Sequence, residues 1–196
     1  MLDTRARRQV DPFINALARG LHRARMTANA VTVMAMLIGV AAASCVASGW
    51  TWAGIALLWA SGLLDAADGA LARIAGVSAF GAILDITFDR VVELAMIFAL
   101  AWRHPEARLV LVALAGVIAI AMSLFLSIAA AMRNLSAKAF HYAPGLGERT
   151  EAFICLTLMA AGQTHLQAWT GLFIAVIVLT MGQRLRHAAT GLRNDA

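Results

Sequence analysis

The chain has 196 residues, a mean hydropathy of +0.77 and only 14% charged residues, against about 25% in soluble domains. That excludes an ordinary soluble domain and predicts an integral membrane protein. The net charge of +5 does not indicate nucleic acid as a partner, because the basic residues cluster between apolar segments instead of covering one polar face.

In chain order, the first element is an amphipathic helix with a linker, together spanning residues 1–26. Val10, Phe13, Ile14, Leu17 and Leu21 recur at helical spacing, with Arg7, Arg8, Arg19 and Arg23 on the polar side. A helix of this kind lies in the membrane interface with its arginines near anionic headgroups, or packs on other protein. No continuous apolar core precedes Arg23 and Arg25, so the segment does not read as a secretory signal peptide.

Six apolar runs follow, at about 29–49, 51–74, 79–102, 108–132, 149–165 and 167–184, each near the ~20 residues a helix needs to cross a bilayer. Ser48-Gly49, Gly76-Val77-Ser78, His104-Pro105, Pro144-Gly145 and Gly162-Gln163 mark the breaks. The expected architecture is an all-α integral membrane protein of six transmembrane helices preceded by the amphipathic helix. As one domain it divides into residues 1–26, a bundle over 27–186 and a tail over 187–196. Cys45 and Cys155 both fall in apolar runs without metal-ligand spacing, so neither a disulfide framework nor a thiolate zinc site is indicated.

Lys and Arg distribute thirteen to two across the alternating ends of these runs, with Arg103 and Arg108 on the poor side and Arg90 inside a span. The positive-inside rule then puts both termini and the loops at 73–78 and 133–148 on the cytoplasmic side of a prokaryotic cytoplasmic membrane.

Four carboxylates interrupt the second and third runs. At about 100° per residue, Asp65, Asp68, Gly69 and Ala72 share one helix face, and Gly81, Asp85 and Asp89 form a stripe on the next helix. Counted from the turn at ~1.5 Å per residue, Asp68 and Asp85 lie about 13 Å deep and Asp65 and Asp89 about 18 Å. If the two faces meet, four acids converge in the cytoplasmic half of the membrane. Such a group requires counterions. Two hard divalent cations, Mg²⁺ or Mn²⁺, balance the charge, and the absence of His and Cys from the stretch argues against a soft metal.

The small residues Gly69, Ala72 and Gly81 let a ligand approach the backbones, or serve close helix packing. Arg73 is placed to contact phosphate or to anchor its helix end, and Arg90 to pair with Glu93 or Asp89. A paired-cation site of this kind suits phosphoryl transfer from a diphosphate-linked lipid, with a carboxylate or a metal-bound water taking the proton of an attacking hydroxyl.

The pattern Asp65-x2-Asp68-Gly69-x2-Ala72-Arg73-x7-Gly81-x3-Asp85-x3-Asp89 resembles the full signature of the CDP-alcohol phosphatidyltransferase family. The resemblance implies transfer of a phosphatidyl group from a CDP-linked lipid such as CDP-diacylglycerol to the hydroxyl of a small polar alcohol, with release of CMP. It further implies a homodimer with a cytoplasmic active site and two bound divalent cations. By the same resemblance, Asp65, Asp68 and Asp85 are metal ligands, and Asp89 is the general base and also touches a metal. Gly69, Ala72, Arg73 and Gly81 would surround the CDP moiety.

Upstream, Thr27-Ala28-Asn29-Ala30-Val31-Thr32 is similar to the family's Thr-Pro-Asn-x-x-Thr start of the first span, with Ala28 in place of proline. It implies Asn29 and Thr32 as phosphate contacts, while a helix N-cap is the alternative use of Thr27 or Asn29. Downstream, Arg133, Lys138, His141 and Arg149 surround Pro-Gly-Leu-Gly-Glu-Arg, which resembles the family's Gly-x-x-Glu-Arg segment. Arg133, Lys138 and Arg149 are candidates to hold a phosphorylated acceptor such as glycerol 3-phosphate or inositol phosphate. Positive-inside topology alone would also put basic residues there. A membrane prenyltransferase and a multi-pass cation transporter are the competing uses of such intramembrane acids.

Overall fold

The computed structural model of the protein describes residues 2–135 and 149–194, with side chains for 11–131 and 150–190. It is all-helical over the described residues: α1 (Leu2–Arg23), α2 (Ala28–Ala47), α3 (Thr51–Ala75), α4 (Ala79–Arg103), α5 (Arg108–Leu135), α6 (Arg149–Ala161) and α7 (Leu166–Asn194), with 3₁₀ turns at Pro105–Ala107 and Gln163–His165. Six helices thus follow α1, where the apolar runs were expected. The last one continues through most of the expected tail.

Local chemistry sets the ends. Thr27 caps α2 by accepting from Ala30 N–H at 3.2 Å, which is the capping role weighed for it above. Ser78 caps α4 by accepting from Gly81 N–H at 2.9 Å. Gly76, with φ of 111°, supplies the backbone conformation that ends α3 and turns the chain into α4.

Four helical stretches are long and apolar enough to cross a membrane: Ala28–Ala47, Thr51–Ala75, Pro105–Ala131 and Gln163–Thr190. α4 has the length, with 25 residues, but carries Asp85, Asp89, Arg90 and Glu93. The 13 residues of α6 reach only ~20 Å.

α2 lies against both α3 and α4, and small residues bring the three together. A Cβ on Gly39 would meet Val92 Cγ2 at 2.5 Å and Ser61 Oγ at 3.0 Å. Ser61 in turn donates to Ala35 O at 2.7 Å, so a buried hydroxyl is satisfied across the α2–α3 contact. The main core, including Leu58, Met96, Leu100, Leu111, Leu156 and Met159, fills the bundle.

A smaller cluster joins Ala18 of α1 to Val31, Ala70 and Leu71, with Ile14 and Leu21 packed beside it. Part of the α1 stripe is therefore spent on protein contact, because the ends of α2 and α3 offer it an apolar face. Phe13, Arg19 and Arg23 remain exposed on the other side.

Candidate active site

α3 and α4 run antiparallel from the Gly76 turn and bring their acids together. Asp65, Asp68 and Asp85 each place a carboxylate oxygen within 4.8 Å of the others. Asp68 of α3 and Asp85 of α4, expected to face each other, are both in this cluster. Asp65 joins them because residues three apart already adjoin on one helix face. Asp89 lies one turn further along α4, outside that trio, with Asp85, Asp68, Arg90 and Glu93 as charged neighbours.

Asp65 and Asp68 are buried, Asp68 to 4% exposure. Thr32 and the Gly69 backbone lie at hydrogen-bonding range of Asp68, yet its Oδ2 is buried with no hydrogen-bond partner. Three clustered carboxylates, one with an orphaned oxygen in a low-dielectric setting, form a donor set suited to a hard cation.

The surrounding small residues serve two ends. A Cβ on Gly69 would meet only Arg73 Nη1, at 3.9 Å, so the face beside Asp68 is open and overhung by a guanidinium. Ala72 is partly buried on the same face, and Arg73 is exposed at the end of α3. At Gly81 the space is filled instead: a Cβ there would lie 2.9 Å from Asn29 Oδ1 and 2.9 Å from Ser78 Oγ. The Thr32 hydroxyl donates to Ala28 O at 2.9 Å, so its one proton can serve a helix carbonyl or the site.

Arg90 pairs with Glu93, Nη1 to Oε2 at 2.7 Å, the first of the two pairings weighed above. Glu93 was absent from the expected site. Its spacing was the available signal, since it continues the Gly81, Asp85, Asp89 stripe by four more residues. Of the expected acceptor residues, Arg133 and Arg149 lie in α5 and α6 with side chains outside the described ones, and Lys138 and His141 lie outside the described residues.

Fold and site together define an all-α membrane protein in which Asp65, Asp68 and Asp85 form a largely buried carboxylate cluster that could hold a hard cation, beside an open face at Gly69. Residues 25–186 match the family model for CDP-alcohol phosphatidyltransferase. The chain belongs to that family, whose members are enzymes transferring phosphatidyl groups. Membership removes the transporter and prenyltransferase alternatives.

The chain is 29% identical over 170 residues to inner membrane protein YnjF of Escherichia coli, covering 81% of each. It is 39% identical over 88 residues to phosphatidylinositol phosphate synthase of Mycobacterium tuberculosis, a match spanning 44% of this chain and 41% of that protein. Against the crystal structure of that synthase with CDP-DAG bound, the TM-score is 0.70 at 28% identity, over 89% of this chain and 92% of the other. The synthase in complex with manganese and citrate gives a TM-score of 0.70 at 27% identity, over 90% of this chain and 89% of the other.

Proposed function

We propose that this protein transfers a phosphatidyl group from CDP-diacylglycerol to the hydroxyl of inositol phosphate, releasing CMP at the cytoplasmic face of a prokaryotic cytoplasmic membrane. The observation that carries the reading is the Asp65, Asp68, Asp85 trio with its orphaned Asp68 Oδ2, set in the family's complete spacing. The donor is supported by the CDP-DAG complex of the mycobacterial synthase. The acceptor is supported by the names of relatives, including the archaetidylinositol phosphate synthase of Methanothermobacter thermautotrophicus, 40% identical over 85 residues.

On this reading Asp65, Asp68 and Asp85 hold two divalent cations, Mg²⁺ or Mn²⁺, and Asp89 completes the set. When bound, the cations offset charge on the pyrophosphate and on the departing CMP. Asp89 takes the proton of the acceptor hydroxyl as it attacks the lipid-linked phosphorus. Asn29, Thr32, Gly69, Ala72, Arg73 and Gly81 seat the CDP moiety, with Arg73 reaching phosphate over the open face at Gly69. Arg133, Lys138 and Arg149 bind the acceptor's phosphate.

Six crossings, both termini in the cytoplasm, a single membrane domain and a homodimer complete the proposal. α6 gains the missing length from the 3₁₀ turn after it, and α4 crosses with its charges turned into the bundle. Crosslinking in native membranes tests the dimer.

The deciding experiment supplies purified chain with CDP-diacylglycerol, Mn²⁺ or Mg²⁺ and, in turn, inositol phosphate, inositol, glycerol 3-phosphate, serine and choline. CMP release with inositol phosphate alone is expected. Release with a different alcohol reassigns the acceptor, and no release with any of them overturns the reading.

A further inference from the structure

α6 leans on α3 through a joint of interlocking residues. A Cβ on Gly62 of α3 would lie 2.7 Å from Phe153 Cε1, 3.2 Å from Cδ1 and 3.3 Å from Cζ, so the edge of the ring fills the space where a side chain would begin. Phe153 is 5% exposed. One turn back along α3, the Trp59 ring stands edge-on to it, with centroids 6.1 Å apart and planes at 72°. Trp59 Nε1 donates to Thr157 Oγ1 at 3.1 Å, and the Thr157 hydroxyl donates in turn to Phe153 O at 2.7 Å.

These contacts fix a register. Trp59 meets Thr157 and Gly62 meets Phe153, so the two helices run antiparallel and one turn of α3 is matched by one turn of α6. Carried a turn further, the same register sets Asp65, three residues after Gly62, level with Arg149, the first residue of α6 and four before Phe153. Gly62 and Asp65 adjoin on the surface of α3 because residues three apart do. A displacement of α6 at the joint is therefore passed to the helix end that starts beside the acids, and with 13 residues α6 has few turns over which to absorb it.

We propose that Phe153, seated in the notch at Gly62, is a positioning residue for the acceptor: it holds the start of α6, and with it Arg149, level with Asp65. This rests on the phosphatidyltransferase reading above and gives the two substrates separate supports. The residues assigned to the CDP-lipid, Asn29, Thr32, Gly69, Ala72, Arg73 and Gly81, lie on α2, α3 and α4, which lock together where Val92 and Ser61 close on Gly39. Arg149, assigned to the acceptor, rides on α6. A methyl group at residue 62 collides with the Phe153 ring, and burial in the main core leaves that ring no room to swing aside. The displacement passes to α6 and leaves the donor side in place.

Steady-state kinetics on full-length wild type, Gly62→Ala, Phe153→Leu and the double variant test this, with CDP-diacylglycerol and the active alcohol varied in turn. In Gly62→Ala the KM for the alcohol should rise about tenfold, with kcat and the KM for the CDP-lipid within about twofold of wild type. In the double variant the shorter side chain clears the new methyl, so most of the acceptor KM should return, whereas independent packing defects would add. Equal rises in both KM values, or a double variant no better than Gly62→Ala, overturn the proposal. A second measurement needs no turnover. In a Cys45→Ser, Cys155→Ala background, nitroxides on Ile74→Cys of α3 and Ile154→Cys of α6, both at exposed positions, report the separation of the two helices by dipolar coupling. Gly62→Leu should shift that separation by about 2 Å, and adding Phe153→Ala should bring it back. An unmoved separation overturns the joint whatever the kinetics show. A wild type that releases no CMP with any alcohol is instead the failure of the enzymatic reading, and takes the acceptor role of Phe153 with it.

Discussion

The side-chain oxygen of Asn29 lies 2.9 Å from the point a Cβ on Gly81 would occupy, so the Asn29 side chain of α2 packs on α4 in space that Gly81 leaves open. Ser78 Oγ, the cap of α4, stands at the same distance. Gly81→Ala should push the amide aside, since the cap is tied to the helix backbone and the Asn29 side chain is free to rotate. If Asn29 grips the CDP moiety, the KM for the CDP-lipid should rise about tenfold, equivalent to ~1.4 kcal/mol, with a far smaller change in kcat. In an Asn29→Ala background the same glycine substitution should add little. Steady-state kinetics on the three variants check this.

Gly69 provides the opposite case. An added methyl meets only the far end of Arg73, so Gly69→Ala should fold normally and gain up to ~1 kcal/mol from better helix propensity. Any ligand that approaches the backbone beside Asp68 would nevertheless meet that methyl. The expected outcome is a melting temperature equal to or above wild type together with loss of most CDP-lipid binding. Unimpaired binding would remove Gly69 from the donor site and leave it as a packing residue.

The contrast between these glycines indicates what was legible in the sequence. The spacing of Asp65, Asp68 and Asp85 made their convergence legible, because helical periodicity turns spacing into a shared face. It did not distinguish a glycine left open from one filled by a neighbour, since that depends on a third helix, α2, whose register against α4 is set by the Gly39–Val92 contact. The helix count was legible from apolar runs. Ties between distant junctions were illegible: Arg103 donates to Val46 O and Thr51 Oγ1, and Gln163 to the same Thr51 hydroxyl, residues that only folding brings together.

Metal binding should be visible in stability. Asp65, Asp68 and Asp85 crowd three carboxylates within 4.8 Å, so a bound divalent cation removes a repulsion as well as adding ligands. Mn²⁺ at about 100 times its dissociation constant should stabilise the wild type by ~2.7 kcal/mol, and a chelator should reverse it. Asp68→Asn removes the charge at the orphaned Oδ2 position. It should melt no lower than wild type without metal and gain little from Mn²⁺. Melting curves with and without the ion decide it, and full Mn²⁺ protection of Asp68→Asn would take that residue out of the metal site.

Arg90 directly follows Asp89 on α4 and pairs with Glu93 one turn further along, and the two ends of the pair are unequally buried. The Glu93 side chain is 4% exposed and that of Arg90 32%. Removing one member of a buried pair leaves a charge in a medium that cannot solvate it, at a cost of about 3 kcal/mol or more. The exposed flank of Arg90 gives it a way out, since a long cationic side chain can bend toward water while its stem stays buried. Glu93 has no such route. Arg90→Leu should therefore destabilise more than Glu93→Leu, and the double variant should recover much of the loss by replacing the pair with apolar packing. Unfolding in mixed detergent micelles, read as a double-mutant cycle, should give a coupling above ~1 kcal/mol. Equal single losses that simply add would mean the two side chains act independently, and that the 2.7 Å contact contributes nothing to the bundle.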